Sequence, residues 1–290
     1  MFLSRNQRAK YQPNPGTPQD FQAKVKNSVY YAELPDDAIA DHLAHDLAEI
    51  PPTSYREGYH GDRHHDYWLS GVRDYRRVMS YWDKYGAGRA PRSFLDFGGS
   101  SGRVVRHMAA MNPQAQVYCA DLGITAIEWA LAHLPMNVQA MQSTILPGLP
   151  LADRSVDVIT AFSVFTHVDN HEYGWLAELA RVAAPGAMLY LTLMTEDTWD
   201  ACMRIDWRYK GLTGSVAGFD AYERGTPMPA DKDKIAFYDK SNSYGTTFHS
   251  KRHVHKVWAR FFDIHEIWTP PGVETIGEQT VVVCSPKASA

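Results

Sequence analysis

The apolar positions of the chain change their period twice. From Asp36 to Ile50 they recur at helical spacing (Ile39, Leu43, Leu47, Ile50), and Pro51-Pro52 closes the run. Asp66–Tyr85 repeats the pattern with Trp68, Leu69, Val72, Tyr75, Val78, Met79 and Trp82, and predicts a second helix. A loop with Gly86, Gly88 and Pro91 follows. From Ser93 onward, short apolar runs alternate with helical stretches. Strands are predicted at Ser93–Phe97, Gln116–Ala120, Asn137–Met141, Val156–Phe162 and Ala187–Leu193. Helices are predicted at Gly102–Met111, Thr125–His133 and Glu172–Val182. Such alternation implies parallel strands with helices on both faces.

Residues 195–250 interrupt the alternation with many aromatics, among them Trp199, Trp207, Phe219, Tyr222, Phe237, Tyr238, Tyr244 and Phe248. A long insertion beside a sheet is more often a lid or substrate wall than a structureless loop. Its aromatics suit stacking against a sugar or aromatic acceptor, and equally suit a small core. A helix near Val254–Phe261 and strands at Phe262–Trp268 and Thr280–Cys284 complete the pattern. Residues 1–28, with Pro13, Pro15, Gly16 and Pro18, predict an extended arm. The expected organisation is an arm and helical extension over 1–90 and an α/β domain over 91–290.

Composition narrows the function. The formal net charge of −4 over 290 residues leaves no basic excess for nucleic acid as the main partner. No run reaches the roughly 20 apolar residues that span a bilayer, and Met1–Arg5 opens no signal peptide. No membrane partner and a cytoplasmic location are therefore expected. Cys119, Cys202 and Cys284 are odd in number and far apart, as expected of buried reduced thiols.

The sharpest local signal is Asp96-Phe97-Gly98-Gly99-Ser100-Ser101-Gly102-Arg103, where a strand passes through small residues into a helix. Small residues let the backbone approach a ligand closely, and a helix start offers free amides. The G-x-G-x-x-G spacing of dinucleotide enzymes is not met, because Ser100 and Arg103 stand at its third and sixth positions. Asp121 ends the next strand, where a carboxylate accepts ribose hydroxyls or caps the following helix.

The pattern D-x-G-x-x-x-G at Asp96, Gly98 and Gly102 resembles the nucleotide loop of class I S-adenosylmethionine-dependent methyltransferases. Ser100 stands in place of the middle glycine. Leu149-Pro150 through Asp157–Phe162 and Ala180-Arg181-Val182 through Pro185-Gly186 resemble two further phrases of that family. The resemblance implies a Rossmann-like, seven-stranded, mostly parallel sheet and S-adenosylmethionine as cofactor. It implies that Asp96, Gly98, Gly99, Ser100, Gly102, Arg103, Asp121 and Leu122 bind the cofactor, with Gly98, Gly99, Ser100 and Gly102 at the methionine part and Asp121 at the ribose. Gln142 or Ser143 would lie near adenine, and Phe162 and Ser163 at the rim of the methyl site.

Methyl transfer to a hydroxyl needs a base, and His167, after the fourth strand, is the first candidate. His249, at the exit of the insertion, is the second. A structural role suits each of them as well. A small-molecule or carbohydrate acceptor methylated on oxygen is expected. His60, His64 and His65, and His249, His253 and His255, match no zinc spacing, so solvated side chains and no metal are expected. Arg73, Arg76 and Arg77 read as a solvated helix face, and Trp68 and Gly71 either close over the cofactor or simply pack. Two other readings remain open at this point: a nicotinamide-dependent oxidoreductase, and a methyltransferase-like domain that binds a partner without catalysis.

Overall fold

A computed structural model describes residues 14–57, 59–86, 88–216, 218–236, 244–270 and 279–287. The aromatics Phe237 and Tyr238, Pro13 and the segment Met1–Arg5 lie outside these. The strands are β1 (Ser93–Phe97), β2 (Gln116–Asp121), β3 (Val138–Gln142), β4 (Val156–Ala161), β5 (Ala183–Leu193), β6 (Lys232–Ala236), β7 (Gly245–His249), β8 (Phe262–Trp268) and β9 (Thr280–Pro286). Seven of them form one sheet in the order β3-β2-β1-β4-β5-β9-β8. β1 and β4 are buried at every position, as apolar runs covered on both faces should be. β3 and β8, at the two edges, are only partly buried.

The neighbours β1–β2, β2–β3 and β4–β5 pair in parallel. β9 is the antiparallel member of this mostly parallel sheet, pairing antiparallel with both β5 and β8. β6 and β7 make a separate antiparallel pair inside the insertion.

The helices are α1 (Asp36–His45), α2 (His64–Tyr85), α3 (Val105–Met111), α4 (Ile124–His133), α5 (Glu172–Val182), α6 (Glu196–Arg204), α7 (Asp206–Ser215) and α8 (Lys251–Val257). The chain gathers into two compact units, one of residues 1–83 with 91–143 and one of residues 84–90 with 144–290.

In the first unit, α1 stops at His45, short of the expected Ile50. Its helical spacing is broken because Asp46 turns into the core, accepting from the Trp68 indole (2.8 Å) and from Arg106 Nε (2.6 Å). Leu47 is left exposed while Ile50 is buried. Nor is the arm extended throughout: Pro18–Asn27 is a 3-10 helix, its start held by Asp20, which accepts from the Thr17 amide and hydroxyl. The arginines of α2 are not uniformly solvated. Arg73 lies over the Tyr30 ring and pairs with Asp74 and Glu33, and Arg77 also reaches Glu33.

Gly71 and Trp68 serve packing. A Cβ on Gly71 would lie 2.2 Å from the Arg103 carbonyl oxygen and 2.7 Å from His107 Nε2, so only glycine lets α2 come this close to the start of α3.

In the second unit, the insertion builds a small core of its own. Trp199 of α6 stands edge-on to Phe219, Tyr222 and Phe248, with Met203 and Val216 buried beside them. Most of its described aromatics therefore face one another, and Trp207 remains exposed. Among the described residues no helix is long and apolar enough to cross a membrane.

Candidate functional site

In the first unit, the ends of β1 and β2 are tied together by the loop between β1 and α3. The Gly98 and Gly99 amides both donate to the Ala120 carbonyl, at 2.7 and 3.2 Å. Gly99 admits no side chain, since a Cβ would lie 2.7 Å from Cys119 Sγ. Ser100, at the expected middle-glycine position, takes a left-handed φ of 49° between Gly98 (82°) and Gly102 (86°). It thus holds a conformation that usually selects glycine. Its amide donates 2.8 Å to Asp121 Oδ2, and the Gly123 amide donates 2.7 Å to Asp121 Oδ1.

Asp121 therefore faces the glycine loop and is not the N-cap of α4, a position held by Gly123. Each carboxylate oxygen has accepted one N–H and keeps lone-pair capacity for another donor. The carboxylate is partly exposed, and Leu122 beside it is 51% exposed. The end of β3 is latched to the same place: the Ser143 amide donates to the Asp121 carbonyl (2.8 Å) and Gln142 Nε2 to the Leu122 carbonyl (3.1 Å). Gln142 and Ser143 are thus brought beside Asp121 and Leu122. Asp96 lies buried beneath the loop.

A tight small-residue cradle with a carboxylate at its lip fits a nucleoside that offers ribose hydroxyls. Arg103 turns the other way, its Nη1 bonding Asp74 Oδ2 (2.6 Å) and Ser70 Oγ (3.3 Å) on α2.

In the second unit, β4 runs out into Phe162 and Ser163. The Phe162 ring lies 5.5 Å from that of Tyr190. Ser163 has a φ of 60°, donates its amide to Thr192 Oγ1 (2.8 Å) and accepts from Gln279 Nε2 at Oγ (2.8 Å). Thr192 Oγ1 in turn donates to Gln279 Oε1 (2.7 Å), which closes a ring of three residues through the Ser163 backbone amide.

His167 sits just beyond, partly exposed, with its ring stacked on Tyr244 at 5.0 Å. Its Nδ1 is 2.8 Å from the Gly245 carbonyl, which can only accept. Nδ1 therefore carries the proton, and the neutral ring has its lone pair on Nε2.

His249 lies at the other end of β7 and is fully buried, its Nε2 3.3 Å from Glu172 Oε1. It has no exposed edge to offer an acceptor. The expectation that the second histidine group is solvated is corrected here, since His249 is buried and His253 has only 13% of its side chain exposed. Only His255 of that group is exposed. Nor is the first group solvated: His60, His64 and His65 are all partly buried, and His64 Nδ1 lies 2.6 Å from Arg56 Nη2.

Burial alone would raise the Glu172 carboxyl. Contacts with His249 and His253 and the Lys232 charge instead hold it well below the usual carboxylate range. Sequence reasoning missed Glu172, which reads only as the polar start of a helix.

The family described as methyltransferase domain matches residues 95–191. Residues 95–191 of this chain thus resemble a methyltransferase domain. It is similar to the malonyl-[acyl-carrier protein] O-methyltransferase of Hahella chejuensis, 28% identical over 111 residues, which are 38% of this chain and 39% of the relative. The chain thus spans well under half the length of that relative.

The fold is that of solved methyltransferases. The 1,6-didemethyltoxoflavin-N1-methyltransferase of Burkholderia thailandensis, with bound S-adenosylhomocysteine, superposes with a TM-score of 0.51 at 12% identity, over 96% of this chain and 94% of that one. A chain from a methyltransferase–activator complex of Haloferax volcanii gives 0.50 at 14% identity, over 75% and 93%. The matched segment of the methyltransferase domain contains the glycine loop, Asp121, Gln142, Ser143, Phe162, Ser163 and His167. It excludes the insertion with His249.

Proposed function

We propose that the protein binds S-adenosylmethionine and transfers its methyl group to an oxygen of a small acceptor. The observation that carries this reading is the Asp121 carboxylate, fixed by the Ser100 and Gly123 amides and still able to accept two hydroxyls. Asp121 would hold the ribose, with Leu122, Gln142 and Ser143 on the adenine side. The loop of Gly98, Gly99, Ser100 and Gly102 would hold the methionine part. Arg103 would act through the loop's shape, since its side chain is engaged with Asp74.

The cofactor supplies an electrophilic methyl on a sulfonium sulfur. The C–S bond breaks as the C–O bond forms, and the electron pair stays on sulfur. Phe162 and Ser163 would wall the reacting centre, and excluding water there favours the in-line displacement.

For a hydroxyl acceptor, His167 Nε2 would take the proton, with the ring held by the Gly245 carbonyl. A carboxylate acceptor is already ionised at neutral pH and needs no base. The relative's printed name specifies O-methylation, which favours oxygen as the target. A carbohydrate is the second acceptor class, favoured by the exposed Trp207 face.

Calorimetric titration with S-adenosylmethionine, S-adenosylhomocysteine and NADPH tests the cofactor. Binding of the two adenosyl compounds alone is the expected result, and folded protein that binds neither overturns the proposal. With an acceptor found, His167→Gln should lower kcat about 10²–10⁴-fold for a hydroxyl and leave cofactor affinity unchanged. An unchanged kcat would remove His167 from the reaction and point to a carboxylate.

A further inference from the structure

Away from the proposed methyl site, three side chains from three elements converge in the second unit. They are Glu172 at the start of α5, His249 at the end of β7 and His253 in the first turn of α8. We propose that they form a binding site for one divalent transition-metal ion, zinc by preference. This inference is independent of the methyl-transfer reading.

The distances carry it. A tetrahedral ion about 2.0–2.1 Å from nitrogen and oxygen ligands sets those ligands roughly 3.3–3.4 Å apart. Here His249 Nε2 is 3.3 Å and His253 Nε2 3.1 Å from the same oxygen, Glu172 Oε1. One ligand atom from each of the three residues falls within 4.8 Å of the others. Two imidazoles and a carboxylate are a zinc donor set, with the fourth position left for water.

Hydrogen bonding does not account for His249 by itself. The residue is fully buried, yet among the described residues neither of its ring nitrogens finds a hydrogen-bond partner of acceptable direction, despite the short approach to Glu172. A buried polar nitrogen without a partner asks for an explanation, and a lone pair directed at an ion supplies one.

The surroundings fit a ligating carboxylate. The Trp258 indole donates to Glu172 Oε1 (2.7 Å), and ligating carboxylates are commonly oriented by such outer hydrogen bonds. Ser250 accepts from the His253 amide (2.9 Å), which fixes the turn that carries both histidines. Lys232 Nζ lies 3.0 Å from Glu172 Oε2, and its charge opposes a second cation. That charge is shared with Asp169, 3.1 Å away, whose other oxygen is 3.9 Å from Lys234. Two carboxylates and two lysines thus balance without the histidines, and the dication would be balanced by solvent and counter-ions. Bound there, the ion would fasten β7 and α8, hence the exit of the insertion, to α5.

The test uses untagged full-length protein, stripped with a chelator and titrated with Zn²⁺ and with Co²⁺. The expected result is one ion per chain by mass spectrometry, the visible bands of tetrahedral Co²⁺, and a Tm that falls on chelation. Glu172→Gln and His253→Ala should each weaken Zn²⁺ binding by at least about 100-fold, while His255→Ala, its exposed neighbour, should leave binding unchanged. His253 is partly exposed, so its variant should fold even if one at His249 does not. Folded wild type without stoichiometric metal, or a folded His253→Ala that binds as tightly as wild type, overturns the site.

Discussion

Replacing Asp121 by alanine separates a cofactor-holding carboxylate from one that merely braces the turn. The carboxylate accepts the Ser100 amide at 2.8 Å and the Gly123 amide at 2.7 Å. Because it is partly exposed, water can take over both donors in the variant. The stability cost should then be near the net value of two ordinary hydrogen bonds, about 2 kcal/mol. Two ribose hydroxyls on a charged acceptor contribute more, at least about 1.5 kcal/mol each. Their loss of about 3 kcal/mol corresponds to roughly 100-fold weaker binding. The assay is calorimetric titration with S-adenosylhomocysteine, run beside thermal unfolding of the same preparations. If Asp121→Ala remains folded and binds within threefold of wild type, the carboxylate does not hold the ribose and the assignment fails. If affinity drops about 100-fold in a variant that loses no more than about 2 kcal/mol, the share of the two amide bonds, the carboxylate acts on the ligand directly.

Two predictions concern the first unit's stability. Arg106 and Asp46 are a fully buried pair, so removing one partner with Arg106→Ala or Asp46→Ala should cost about 3–5 kcal/mol in urea unfolding. Replacing both by leucine should cost less than either alone, and a cost equal to the sum of the two would refute a coupled pair. Burial presses His42 down from its usual value to about 4, with its Nδ1 3.2 Å from His107 Nδ1. The unfolded chain therefore takes up this proton first, and stability present above pH 6.5 is lost as pH falls toward 4. The loss should reach about 3 kcal/mol. His42→Gln should flatten that part of the stability–pH curve, and an unchanged curve would place the dependence on other groups.

The strands were legible because β1 and β4 are short, mostly apolar runs bounded by turns, a pattern that burial on both faces imposes. The direction of β9 was not legible, since an apolar run between two strands reads the same parallel or antiparallel. The end of α1 was misread for a definite reason. Leu47 and Ile50 keep helical spacing, but the local preference yields to Asp46, which is drawn inward by Trp68 and by Arg106, far off in sequence. The meeting of the glycine loop with Asp121 was legible because it is local: each stands at the end of its own strand. Glu172 was invisible, because its meaning depends on two histidines brought back by the insertion some eighty residues later.

The arginines at the entry of α3 bear on which nucleotide the loop suits. A dinucleotide's pyrophosphate is stabilised by unspent positive charge at the start of that helix. Here Arg103 is paired with Asp74 and Arg106 with Asp46, so the N-terminal helices bring a carboxylate to each guanidinium. With both guanidinium charges offset, only the backbone amides of the helix start remain to favour an anion there. A cofactor whose reacting end is a sulfonium cation gains nothing from positive charge there and is disfavoured by it. The acids of α2 and of the turn after α1 thus weigh toward S-adenosylmethionine and against a nicotinamide dinucleotide. The substitution that tests this is Asp74→Asn: freeing Arg103 should weaken S-adenosylmethionine binding more than S-adenosylhomocysteine binding, because only the former carries the sulfonium charge. Equal losses for the two ligands would show that Asp74 acts through the loop's shape and not through its charge.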